Sequence, residues 1–389
     1  MTTTTRVPNL AANKGENPLQ GLLAYGQSPW LDFIRRNILQ NGDLKKMITN
    51  DGLRGMTSNP AIFEKAITAG DDYNDIIKAP DAKSSTAMAL YEKIAIRDVQ
   101  DAADIFGPVH QETKGRDGYV SLEVSPNLAF DTQATLEETR RLWKTVNRPN
   151  VMIKIPGSPQ GVPAIRQALE EGININITLL FAQSAYEEVA EAYLAALEAR
   201  AGKGQDISHI ASVASFFVSR IDSLVDSTID TKLKTEADPA KKSLLESLRG
   251  KVAIANARRT YAKYQEIIAT PRWKALAAKG AQTQRLLWAS TSTKNPKYRD
   301  VLYVEELIGA DTVDTVPPAT FDAFRDHGKL RNSLTEDVAG ANKTMSDLEA
   351  AGISMKAVTD KLLADAVKLF QDPFKQLLDA ITKHAGVSA

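Results

Sequence analysis

A parallel (β/α)8 barrel, eight strands wrapped by helices, is the fold this sequence predicts, and three observations predict it. Short β-rich runs recur along the 389 residues and alternate with helical stretches. Several of those runs are apolar on both faces, as strands are when buried between a barrel interior and a coat of helices. The main alternative, a doubly wound open sheet, calls for a GxGxxG turn after its first strand, and the sequence has none.

The first strand is placed just before Asp32, in LLAYGQSPWLD, and is the most weakly patterned. The others are placed at 53–57 (LRGMT), 119–124 (YVSLEV), 151–155 (VMIKI), 173–178 (ININIT), 210–218 (IASVASFFV), 285–289 (RLLWA) and 312–316 (TVDTV). Between them, Leu90, Ile94, Val99, Ala102 and Phe106 mark one helical stripe. Thr135 with Glu138, and Ser184 with Glu187, have capping-box spacing, and Gly202 is expected to stop the second of these helices. Residues 161–172 give a short crossover helix. The stretches after the second and sixth strands are too long for simple crossovers and predict extra helices. A C-terminal helical segment follows Ser354, with Val358, Leu362, Ala366, Leu369 and Phe370 on one face. Residues 1–17 read as a polar tail, and 18–389 as a single barrel domain with helical insertions.

Composition narrows the chemistry. Lys+Arg and Asp+Glu both number 48, so the net charge is zero, which argues against a basic nucleic-acid binder. There is no Cys, which removes disulfides, a thiol nucleophile and Cys-ligated metals. The four His are scattered, so no metal site and no cofactor are expected. No apolar run approaches the roughly 18 residues of a membrane helix, and the N-terminus lacks the apolar core of a secretory signal; no membrane partner and a cytoplasmic address are the expectation.

In a barrel of this kind function sits at the C-terminal strand ends. Those ends carry Asp32, Asn59, Glu123, Lys154, Asn176 with Thr178, Ser215 with Arg220, and Lys294. Lys154, flanked by Ile153 and Ile155, reads either as a snorkelling or ion-paired lysine or as a Schiff-base former. An ordinary lysine is less than about 0.1% neutral at pH 7, and an apolar setting favours the neutral amine that attacks carbonyls. Glu123 and Asp32 read either as salt-bridge partners or as the acid and base such chemistry needs. Thr178 and Asn176 offer hydrogen bonds to a water or a hydroxyl. Ser215, Arg220 and Lys294, near the last strands, suit a phosphate.

TSNPAIF, VSLEVSP, VMIKIPGS, NITLLF and WASTSTKNP…YVEELIG…TVPPATF, in this order and spacing, resemble the transaldolases in their longer bacterial form, over nearly the whole chain. The resemblance implies a metal-free Schiff-base enzyme of the pentose phosphate pathway. It would transfer a dihydroxyacetone unit from sedoheptulose 7-phosphate to glyceraldehyde 3-phosphate, giving erythrose 4-phosphate and fructose 6-phosphate. It implies Lys154 as nucleophile, Glu123 as proton shuttle through a water held by Thr178, and Asp32 as acid/base at the cleaved bond. Asn59 and Asn176 would hold substrate hydroxyls, Ser215 would position substrate, and Arg220 with Lys294 would take the phosphate. Shorter members carry Arg where Lys294 stands, which would make that contact a point charge. The isomerase fusion of some long relatives is not expected here, and either a monomer or a homodimer is compatible with the sequence. Three alternatives stay open: a fructose 6-phosphate aldolase, whose relatives carry Gln in place of Glu123; a barrel glycosidase using Asp32 and Glu123; and a non-catalytic sugar-phosphate binder.

Overall fold

The computed structural model describes residues 17–68 and 70–387. Eight parallel strands close into a barrel in chain order: β1 (Gln27–Asp32), β2 (Gly55–Thr57), β3 (Tyr119–Glu123), β4 (Val151–Pro156), β5 (Ile175–Leu180), β6 (Ser212–Phe217), β7 (Arg285–Ala289) and β8 (Thr312–Val316). All eight expected strands are present. Leu53 and Arg54 precede β2, Ile173 and Asn174 precede β5, and Ile210 and Ala211 precede β6. In each case the apolar run begins in the approach to the strand, because that segment is buried under the helical coat before it joins the ladder.

The pleat decides which residues enter the barrel. Alternate residues point inward, so Asp32, Thr57, Ser121, Glu123, Lys154, Asn176, Thr178, Ser215 and Thr315 share the interior, while Ile153, Ile155, Ile175, Ile177 and Phe216 pack outward and are fully buried. At the N-terminal end Arg285, Ser28 and Asp117 satisfy one another. Arg285 donates to Ser28 Oγ and to Asp117 Oδ1, both at 2.8 Å, and Ser28 Oγ donates to Asp117 at 2.9 Å. At the C-terminal end Thr178 Oγ1, Glu123 Oε2 and Arg220 Nε are buried without a hydrogen-bond partner. Gln27 Oε1 and Gln284 Oε1, at the N-terminal end, are also unmatched, but the three at the C-terminal mouth lie where this fold places its chemistry, and a buried polar atom left unmatched is costly.

The insertion after β2 contains helices Pro60–Thr68 and Ala87–Glu112, and the long stretch after β6 contains Ser219–Leu233, Pro239–Ser247, Val252–Ala269 and Pro271–Ala277. The stripe from Leu90 to Phe106 is buried as expected. The crossover helix runs Gly161–Glu170, and Gly172 follows at φ +92°, a left-handed conformation suited to glycine.

Several local expectations are corrected. Helix Thr132–Val146 is capped by Asp131, whose carboxylate accepts from the Ala134 amide. Thr135 lies inside it and donates to the Leu128 carbonyl at 2.8 Å. Helix Gln183–Gly202 starts at Ala182 with no side-chain cap, so Ser184 and Glu187 fall within its first turns, and Gly202 is its last residue rather than its stop. An earlier acidic cap, or a strand feeding straight into the helix, outcompeted the two boxes. Leu369 is not on the buried face of the C-terminal helix Met355–Ala385; it is 48% exposed, whereas Val358, Leu362 and Ala366 are buried and Phe370 is half-buried. Asn17, expected in the polar tail, caps helix Pro18–Gly21 and reaches Asp51 Oδ1 at 2.6 Å; residues 1–16 lie outside the described residues. Among the described residues no helix is long and apolar enough to cross a membrane.

Candidate active site

The site is built on three neighbouring strands in register. Glu123 pairs with Lys154 across β3 and β4, and Lys154 with Asn176 across β4 and β5. Register partners in a parallel ladder point to the same side, so the three side chains enter the barrel together. Lys154 is 5% exposed and Glu123 7%. Lys154 Nζ lies 3.2 Å from Glu123 Oε2 and donates to the Ser58 carbonyl at 3.3 Å. The contact with Glu123 is close enough for charge attraction but not aligned as a hydrogen bond, which leaves that oxygen free to handle a proton. Phe370, from the C-terminal helix, brings its ring centroid to 5.7 Å from Lys154 Nζ.

Burial pushes the Glu123 carboxyl above its ordinary range; Lys154 opposes this and the charge of Asp32 adds to it. Asp32, at the end of β1, is likewise pushed up by burial, against Lys154, a hydrogen bond from Thr57 and Lys294. Thr57 Oγ1 donates to Asp32 at 2.7 Å and lies 2.6 Å from Thr315 Oγ1. Since the Thr57 proton is committed to Asp32, Thr315 donates to Thr57, and a relay of two hydroxyls orients the carboxylate from β2 and β8. Two carboxyl groups with raised affinity for protons flank one buried amine, an arrangement suited to proton transfer at neutral pH.

Asn176 is fully buried and held on both sides: it donates to Ser121 Oγ at 2.9 Å and accepts from Ser215 Oγ at 2.6 Å. Two residues on, Thr178 is fully buried with its hydroxyl unmatched. The β5–β6 register shifts between Ile177 and Leu180, and Leu179 sits at φ +62°. Such an irregularity re-aims the neighbouring side chain, and a bulky residue in this left-handed region is uncommon enough to mark a functional site.

At the mouth, Arg220 opens helix Ser219–Leu233 and Lys294 follows β7. Burial lowers the affinity of both for protons, and Lys294 is lowered further by the nearby charges of Arg220 and Lys65. Lys294 therefore lies within electrostatic range of two other cations. Asn59 sits beside Lys154's partner Ser58, with its Oδ1 accepting the Ile62 amide at 3.0 Å, so one face of its amide caps helix Pro60–Thr68. All nine residues singled out in the sequence lie at the C-terminal end: Asp32, Glu123, Lys154 and Asn176 meet around the amine, and Arg220 and Lys294 lie within electrostatic range of each other at the mouth. Sequence reasoning missed Thr57, Ser121, Thr315, Lys65 and Phe370. Thr57 and Ser121 carried a signal, since Ser121 shares the inward face of β3 with Glu123. Phe370 carried none, being distant in the chain and patterned like core.

Fold and site define an enzyme of the (β/α)8 class with its chemistry at the C-terminal strand ends. The transaldolase/fructose-6-phosphate aldolase family matches residues 29–381, and the chain belongs to this family. A protein named transaldolase from Trichodesmium erythraeum is 50% identical over 92% of this chain and 94% of its own length. Transaldolase 2 of Nostoc sp. is 47% identical over 94% of this chain and 97% of its own. A transaldolase of Parafrankia sp. is 44% identical over 96% and 99%.

Proposed function

We propose that this enzyme is a transaldolase that moves a dihydroxyacetone unit between phosphorylated sugars through a Schiff base on Lys154. The observation that carries the reading is Lys154 Nζ, buried inside the barrel and 3.2 Å from a carboxyl group whose affinity for protons burial raises. Lys154 attacks the ketose carbonyl. Glu123, with a water bound at the unmatched hydroxyl of Thr178, supplies the proton that carries off the carbinolamine oxygen as water and leaves an iminium. Asp32, oriented by Thr57, takes the proton of the hydroxyl next to the bond being broken. The carbon–carbon bond then cleaves, its electrons move into an enamine on Lys154, and an aldose phosphate departs. An acceptor aldehyde reverses these steps. Asn176 and Asn59 hold substrate hydroxyls, Ser215 positions the chain, and Arg220, Lys294 and Lys65 hold the terminal phosphate. The donors and acceptors are sedoheptulose 7-phosphate, glyceraldehyde 3-phosphate, fructose 6-phosphate and erythrose 4-phosphate, the sugars of the pentose phosphate pathway, and the proposed address is the cytoplasm. The carboxylate at position 123 favours transfer over the simple aldolase, whose relatives carry Gln there.

Borohydride with fructose 6-phosphate tests the reading. Wild type should gain a covalent adduct mapping to Lys154, and Lys154→Ala should lose both the adduct and turnover. An adduct that survives in the variant would assign the chemistry to another lysine.

A further inference from the structure

The C-terminal helix brings an aromatic ring to the nucleophile, and no step above uses it. Met355–Ala385 packs chiefly on the Pro60–Thr68 and Ala87–Glu112 helices and also reaches β5. Its anchor is aromatic: Phe374, 3% exposed, meets Tyr91 edge-on at 5.5 Å, and Tyr91 meets Phe63 edge-on at 5.7 Å. Leu377 and Ile381 continue the buried face. Phe370 lies one turn before Phe374, so it projects from the same side. It is half-buried, however, and its ring centroid is 5.7 Å from Lys154 Nζ. A ring that touches solvent on one side and a 5%-exposed amine on the other stands across the amine's way out. Pro373, inside the helix, cannot donate to the Leu369 carbonyl. The ladder is thus weakened between Phe370 and the Phe374 anchor, while Val358, Leu362 and Ala366 hold the preceding turns down, so the half-buried Phe370 ring is not itself one of the residues that fix the helix.

We infer that Phe370 is a catalytic residue of the transfer reaction: its ring covers the intermediate on Lys154, the enamine and the iminium it forms on protonation, and keeps water from it until the acceptor aldehyde arrives. The inference rests on Lys154 being the Schiff-base former. A protonated iminium carries a positive charge that the face of an aromatic ring attracts within about 6 Å. The competing loss is hydrolysis: the enamine carbon takes a proton from solvent to become an iminium, water adds to the iminium carbon, the carbon–nitrogen bond breaks, and free dihydroxyacetone leaves with the lysine amine restored. An aldolase tolerates that loss and a transferase does not, so the residue that excludes water sets the partition between the two outcomes.

The test measures sedoheptulose 7-phosphate and free dihydroxyacetone together, in one assay with fructose 6-phosphate and erythrose 4-phosphate. Phe370→Ala should raise release relative to transfer by between about twofold and thirtyfold, the range a desolvated cation–ring contact covers. Phe370→Tyr, which keeps the ring, should retain the wild-type ratio. Leu369→Ala, on the exposed side of the same turn, should also retain it. A Phe370→Ala enzyme with unchanged thermal midpoint and unchanged product ratio would overturn the inference. An equal rise in release in Leu369→Ala would also overturn it, by moving the effect from the ring to the helix as a whole. The borohydride adduct separates the two levels: in every Phe370 variant it should still map to Lys154, and its appearance elsewhere would sink the Schiff-base assignment itself.

Discussion

At the scale of single residues, the site works by setting groups with opposed needs against one another. Glu123 and Asp32 are both pushed toward their protonated forms by burial, and Lys154 pulls both back. Glu123→Gln keeps the shape and the reach to Lys154 but cannot exchange a proton. Transfer should fall by roughly 10²–10⁴, the usual range for a lost acid–base group, while free dihydroxyacetone rises relative to transfer. A near-wild-type rate with the wild-type product ratio would leave Glu123 as a structural carboxylate. Arg220→Ala addresses the other half of the site. Its Nε is buried and unmatched, so its expected loss is in the apparent KM for phosphorylated substrates, by roughly tenfold or more, the order of a charge-assisted contact. Borohydride trapping of unphosphorylated dihydroxyacetone should be spared, and an equal loss with both ligands would mean a structural role. The placement of Glu123 and Lys154 could be read from the sequence because each is a charged group on an otherwise apolar strand, a placement that burial penalises. The supporting atoms could not: the Ser58 carbonyl carries no side-chain signal, and Phe370 looks like any residue on an amphipathic helix.

At the scale of elements, every strand could be placed from the sequence except for its exact ends, and only β1 lacked bounds beyond lying before Asp32. β1 is QSPWLD and β2 is GMT; their identities come from what they face rather than from periodicity. Gly55 shows why. A Cβ there would lie 2.4–2.7 Å from the Trp30 ring, and Trp30 and Gly55 are register partners across β1 and β2. The missing side chain on β2 makes room for the indole on β1, and this match sets the register that places Thr57 beside Asp32 two residues further on. Gly55→Ala should therefore cost about 1–3 kcal/mol of stability, as overpacking does. It should also slow the carbon–carbon cleavage step more than Schiff-base formation, since it displaces Asp32 and Thr57 rather than Lys154. Thermal melts, and trapping rates compared with turnover, check the two halves; unchanged turnover with lowered stability would show that the register at Asp32 is held elsewhere. Helix starts were misread for a related reason. Thr135 and Ser184 match a capping pattern, but Asp131 and the exit from β5 fix the starts earlier, and local spacing cannot rank two competing caps.

At the scale of the molecule, zero net charge conceals an uneven distribution of acids. Most ion pairs are on the surface, such as the Lys356–Asp360, Lys361–Asp365 and Lys375–Asp379 pairs along the C-terminal helix, and exposed pairs contribute little. The interior holds carboxyl groups without a cation. Asp314 on β8 is fully buried; Thr291 donates to one oxygen at 2.9 Å, the other is unmatched, and burial pushes its pKa up to about 8. Asp222, 1% exposed, is pushed up to about 7 by burial, although the Ala253 amide and the Tyr303 hydroxyl donate to it. In the unfolded chain both would titrate near 3.9. Between that value and their folded values, the folded state binds more protons than the unfolded state, so stability falls as pH rises through this window. The opposite contribution, from acids lowered by surface partners such as Asp206, at about 2, is already complete by pH 5. The thermal midpoint should thus be highest at mildly acidic pH and decline toward pH 9. Asp314→Asn cannot ionise and still accepts from Thr291. It should match wild type near pH 4, where the window opens, and draw ahead of it as pH rises, exceeding it at pH 9 by on the order of a few degrees and flattening the decline. A midpoint that falls equally steeply in the variant would assign the pH dependence to other groups, with Asp222→Asn the next to measure.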